Sequence, residues 1–154
     1  MTDPLSFTSS SPRFGLPLLF SGQSQKEHAV NEAHALTDAL LHCAIEGEAA
    51  TPPATPLDGE CWLVSSPATG EWSGQEGRIA CRQAGVWLFV TPREGMRIFN
   101  RSADQEMRFA GAWLAPSAPA SPSGGSTIDT EARAAIDALI AAMQAARILG
   151  QFDG

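Results

Sequence analysis

The stretch Arg78-Ile79-Ala80-Cys81-Arg82-Gln83-Ala84-Gly85-Val86-Trp87-Leu88-Phe89-Val90 decides how this chain folds. Two short runs that read as strands, 78–83 and 86–90, flank Ala84-Gly85. Glycine there supplies the positive φ that a tight turn needs, so the segment reads as a β-hairpin. Its second half is echoed downstream. Arg82-Gln83-Ala84-Gly85-Val86-Trp87-Leu88 and Arg108-Phe109-Ala110-Gly111-Ala112-Trp113-Leu114 agree at five of seven positions, 26 residues apart. Two copies are too few for a propeller or solenoid, and the echo reads as two hairpins of like construction.

Outward from the hairpins, residues 60–65, 96–100 and 105–109 also read as strands, with a final short strand at Trp113. Turn residues separate them at Thr69-Gly70, Ser73-Gly74, Glu76-Gly77 and Ala110-Gly111. The expectation is an α+β chain: a small antiparallel β-barrel or sandwich of five or six strands, preceded by one helix and followed by a linker and a second helix.

The first helix is expected over 25–45. Val30, Ala33, Thr37, Leu40, Leu41 and Ala44 form a stripe at helical spacing that should face a core, with Ser24 and Glu27 as a capping box. Gly47 and the prolines at 52, 53 and 56 forbid continuation. The second helix is expected over 130–148, capped by Asp129, with Ala132, Ile136, Leu139, Met143 and Ala146 at heptad spacing and Ile140 widening the seam. Four segments follow: an extended arm, 1–22; helix plus β domain, 23–114; a Pro/Ser/Gly-rich linker, 115–128; and a C-terminal helix, 129–154. The arm packs on its own domain or reaches a neighbouring subunit, and the last helix folds back or packs on a symmetry mate. Both pairs of alternatives stay open.

The chain has 154 residues, 44% hydrophobic and 18% charged, with a formal net charge of −7. Ten scattered Lys and Arg argue against nucleic-acid binding, since phosphate contacts need clustered cations. No run approaches the ~18 apolar residues that span a bilayer, and the N-terminus lacks the pattern of a signal peptide, so synthesis and assembly in the cytoplasm are expected. Three cysteines, Cys43, Cys61 and Cys81, make neither a disulfide framework nor a zinc pattern, and read as small buried apolar residues.

Chemistry is sparse. His34, Asp38 and His42 fall at i, i+4, i+8, a spacing able to hold a metal, but that face is opposite the apolar stripe and reads as solvated. No nucleophile elbow, Walker loop or dinucleotide fingerprint occurs, and Asp58, Glu60, Glu71, Glu76 and Glu94 sit near turns where solvation is the default. No catalytic residue, cofactor or metal is expected. Trp62, Trp72, Trp87 and Trp113 most simply pack inside; exposed, Trp72, Trp87 and Trp113 would suit stacking on sugar rings.

Phe14-Gly15-Leu16-Pro17, Gly22-Gln23-Ser24-Gln25-Lys26 and Val30-Asn31-Glu32-Ala33 open a longer pattern. It continues through Pro52-Pro53, Pro56, Gly59-Glu60, Ala68-Thr69-Gly70-Glu71-Trp72-Ser73-Gly74, Gly77-Arg78-Ile79-Ala80, Trp87, Thr91-Pro92-Arg93-Glu94-Gly95 and Trp113. In order and spacing these residues, over 13 to about 114, resemble a family of small domains encoded in bacterial prophages and gene transfer agents. Members often form the N-terminal part of tail-fibre-like proteins. A short member looks like the head-spike base of a gene transfer agent. The resemblance implies a structural virion protein at the particle surface, a cyclic homo-oligomer of five-fold or three-fold symmetry that contacts capsid protein on one side and a spike or fibre on the other. It carries no catalytic residues. Candidate subunit or partner contacts are Phe14, Leu16, Gln23, Gln25, Lys26, Ile136, Leu139, Ile140 and Met143; a glycan-binding module for capsule or cell-surface polysaccharide is the alternative.

Overall fold

The computed structural model describes residues 10–19, 26–125 and 129–150. Among the described residues the protein is α+β, with one helix preceding and one following, in chain order, eight strands in two sheets that do not close into a barrel. The chain forms two compact units that divide between Pro92 and Arg93, inside the expected 23–114 segment.

In the first unit, α1 (Glu27–Leu40) is followed by β1 (Ala44–Ile45), β2 (Glu48–Ala49), β3 (Cys61–Val64), a 3₁₀ turn (Gly70–Trp72), β4 (Ile79–Gln83) and β5 (Val86–Val90). The sheet runs β2-β3-β4-β5. The β4–β5 hairpin is as expected: Gln83 faces Val86 across a two-residue turn. Both turn residues are left-handed, Ala84 at φ 48° and Gly85 at φ 77°, which matches the twist of the flanking strands. One correction concerns strand direction. β2 pairs with β3 in parallel, Glu48 opposite Leu63, so the sheet is mixed, and the two sheets of the described residues together hold eight strands against the five or six expected.

Alternation in this sheet separates two faces. Val64, Ala80, Trp87 and Phe89 share one, where fully buried Trp72 completes an apolar cluster with Trp62. Leu63, Ile79, Cys81, Gln83 and Leu88 share the other, as their cross-strand partners require.

The helix differs from expectation in extent and in orientation. It ends at Leu40 rather than near 45, because Leu41 turns extended and His42 takes φ 49°. Ala33, Thr37 and Leu41 of the expected inward stripe are exposed, while Asp38 and Ala39 on another side are buried. The expected Ser24 cap lies outside the described residues; the N-cap position is Lys26, with no side-chain cap bond.

In the second unit, β6 (Arg97–Asn100), β7 (Gln105–Phe109) and β8 (Trp113–Leu114) form an antiparallel meander, followed by α2 (Thr130–Ala145). The echoed hairpin is not a copy of the first. Phe109 faces Trp113 across three residues rather than two, so its tryptophan sits one register position nearer the turn. Asp129 caps α2 as expected, accepting from the Ala132 N–H at 2.9 Å. The C-terminal segment returns to β7. Glu106 N–H donates to the Arg147 carbonyl, Gly150 N–H and the Gln105 side chain both donate to the Pro116 carbonyl, and Arg147 pairs with Asp104.

Candidate functional site

The densest polar construction in the first unit joins the N-terminal arm to the end of α1. Asp38 is fully buried in the last turn of the helix. A carboxylate there is disfavoured by the helix dipole, and no basic residue of α1 occupies that turn. The arm supplies both compensations. Ser11 Oγ (2.6 Å), Arg13 N–H (3.0 Å) and Phe14 N–H (2.7 Å) donate to the Asp38 carboxylate. The Arg13 guanidinium donates to the carbonyls of Asp38, Ala39 and His42, placing its charge on the negative end of the helix. The turn that makes this possible is closed by Ser11 N–H to the Leu16 carbonyl and Leu16 N–H to Ser11 Oγ, with Gly15 at φ 64°. Further along, the Asn31 side chain both accepts from and donates to the Leu19 backbone, at 2.8 and 3.0 Å.

The described arm, residues 10–19, therefore packs on its own domain. It also corrects the reading of the His34, Asp38, His42 face as solvated at Asp38, which is buried, whereas His42 is exposed. Asp38 is spent on the arm, and His34 Nδ1 lies 2.9 Å from the Pro17 carbonyl. Sequence reasoning missed Arg13 as the partner of this face. The signal available was an aspartate at the wrong end of a helix with no cation in its own turn.

Beside this junction, the arm, α1 and the β4–β5 hairpin line a half-open cavity of about 600 Å³. Leu18, Val86 and Leu88 give it apolar walls, and Glu32, Asp58 and Gln83 give it polar ones. Gln83 is 6% exposed and its Nε2 has no hydrogen-bond partner. Asp58 accepts from the Gly85 N–H and so ties its loop to the hairpin turn.

The expected contact residues divide. Phe14 is exposed, stacked near the Arg13 guanidinium and the His42 ring; Leu16 is half-buried and Lys26 exposed. Gln23 and Gln25 lie outside the described residues. On α2, Ile140 is buried and Met143 half-buried, whereas Ile136 and Leu139 are 46% and 61% exposed.

The tryptophans offer little to a sugar. Trp72 is fully buried and meets Trp87 edge-on, with ring centroids 5.1 Å apart. The reading of Trp72 as a stacking platform is corrected accordingly: neither ring face is free. Trp87 is half-buried, covered by the Arg82 guanidinium at 5.2 Å, and donates its indole N–H to Glu71. Trp113 is half-buried against Phe109.

Cys43, Cys61 and Cys81 are buried, and Cys61 faces Cys81 across the β3–β4 pair. Cys43 and Cys81 both hydrogen-bond Cys61; that contact, with burial, pushes both thiols well above the ordinary thiol range. They are protonated and inert at neutral pH.

No curated protein matches this chain. Residues 30–114, more than half of its length, match a family described as "protein of unknown function (DUF2793)", which takes in α1 from Val30 onward and all eight strands. The chain belongs to the DUF2793 family.

Proposed function

We propose that this protein is a non-catalytic structural component of a phage-like particle, a gene transfer agent or prophage, in which it acts as an oligomeric head-spike base or fibre adaptor between capsid and fibre. The observation that carries the assembly role is the state of α2. This helix lies outside the family segment, its C-terminal end is held to β7, and its seam residues Ile136 and Leu139 remain exposed. Covering the open halves of those two side chains contributes roughly 1–2 kcal/mol each. One such pair of helices would be weak after the cost of association, so the contact suits a closed ring in which several act together. The particle setting is supported by the resemblance of the ordered motifs from Phe14 to Trp113 to prophage and gene-transfer-agent domains. Against the glycan-binding alternative stands the burial of Trp72, with the ring face of Trp87 already covered by Arg82.

The test is made in the organism that encodes the chain. Particles purified after induction should contain the protein in stoichiometric amount, and particles from a deletion strain should lack the spike or fibre. Recovery of the protein only in the particle-free supernatant would contradict the proposal.

A further inference from the structure

The cavity beside the arm makes demands that the fold does not meet. Burying a polar group without a partner costs on the order of 1–3 kcal/mol, and Gln83 Nε2 is such a group, on a side chain that lines the cavity. A neighbouring apolar residue at that position would avoid the cost, so the donor calls for an acceptor brought from outside. Asp58 and Glu32 add negative charge, and among the described lining residues there is no Lys, Arg, His or aromatic ring. An anionic ligand would find no counter-charge there, and a sugar or nucleobase no stacking surface. Leu18, Val86 and Leu88 meanwhile offer an apolar wall, and Val86 is itself exposed. The volume lies within the range of pockets that hold compact ligands.

Acceptor, apolar body and positive charge together describe a piece of polypeptide. We propose that this cavity is a docking site for a short segment of a partner protein, one that presents an aliphatic side chain next to a lysine or arginine. The aliphatic group packs on Leu18, Val86 and Leu88, an adjacent peptide carbonyl accepts from Gln83 Nε2, and the basic group faces Asp58 and Glu32. β5 is the outer strand of its sheet, so the segment meets the domain beside an edge able to accept further main-chain hydrogen bonds. This inference does not depend on the particle reading.

A random heptapeptide library displayed on phage is panned against the full chain and, in parallel, against Gln83→Leu and Val86→Asp. Leucine keeps the volume of glutamine and removes the orphan donor, and Val86 is exposed enough to be replaced without loss of fold; circular dichroism checks both. The expected result is enrichment, on the wild-type chain, of sequences with Lys or Arg beside Leu, Ile, Val or Met. The best of these, synthesised, should shift the Gln83 side-chain amide signal in NMR and bind Gln83→Leu on the order of tenfold more weakly, the loss of one hydrogen bond. Val86→Asp should bind more weakly as well. The proposal is overturned by no enrichment over the variants, by enrichment of acidic sequences, or by peptides that bind Gln83→Leu and Val86→Asp as well as wild type.

Discussion

Replacing Asp38 by alanine should release the arm while leaving the sheet intact. Three donors, Ser11 Oγ, Arg13 N–H and Phe14 N–H, lose their shared acceptor, at 2.6, 3.0 and 2.7 Å in the native protein. Hydrogen bonds to a charged group contribute about 1.5–3 kcal/mol each, but the sum overstates the cost, because an undocked arm regains water at all three donors. The cost is therefore capped near the docking free energy of the arm, on the order of 3 kcal/mol, which is roughly a hundredfold in the docked population. Arg13 reports this directly. Its guanidinium is held by three helix-end carbonyls in the docked state, and it becomes a trypsin site once the arm opens. Where opening and closing are fast, cleavage tracks the open population. Cleavage after Arg13 should accelerate by about two orders of magnitude in Asp38→Ala, and by much less in Ser11→Ala, which removes one donor. An unchanged rate at Arg13 would refute the reasoning; so would nicking spread along the chain, which would mean that Asp38 supports the whole unit.

Three further outcomes are expected. Trp72→Ala should cost about 3–5 kcal/mol in urea unfolding by emptying the cluster around Val64 and Ala80; Trp72→Phe, which removes an indole N–H that has no partner, should cost far less. A thiol reagent at pH 8 should find no reactive cysteine in the native chain and three after denaturation, since all three are buried. Cys43 and Cys81 make stability fall as pH rises past 9.0, where they ionise in the unfolded chain but stay protonated in the folded one, and an alkaline series of urea melts checks this. Glu76 has the opposite sign. Backbone N–H groups of Glu76 itself, Ala68 and Gly74 hold its carboxyl below the ordinary range, so its contribution is present above pH 4.5 and lost as pH falls through the lower folded value. An NMR titration of Glu76 alongside the Ala68 amide should show the two moving together.

The hairpins were legible because both signals are local: period-two alternation and a glycine turn fix Gln83 opposite Val86 without knowledge of the rest of the chain. The same locality explains what was missed. β1 and β2 are two residues each, too short for any periodicity, and β2 exists because Glu48 and Ala49 meet β3 from more than ten residues away. Trp72 sits between Glu71 and Ser73, a polar setting that hides its burial, which arises from Val64, Ala80 and Trp87. The inward side of α1 was misjudged for a related reason. A binary pattern counts Asp38 as outward, and only the arm's Ser11 and Arg13 make it an inward residue. The cavity was invisible in the sequence, because Gln83 looks like any polar residue before a turn.

The assembly claim rests on Ile136 and Leu139, and light scattering on the purified full chain tests it most directly. Truncating the C-terminal segment would confuse the result, since Arg147, Gly150 and Pro116 are bonded to β7 or to each other. Leu139→Asp combined with Ile136→Asp leaves those bonds in place. The account predicts an oligomer that grows with wild-type concentration and a double variant that stays monomeric with an unchanged circular dichroism spectrum. A double variant of the same oligomeric mass as wild type would contradict it, and so would a wild-type chain that remains monomeric at every concentration.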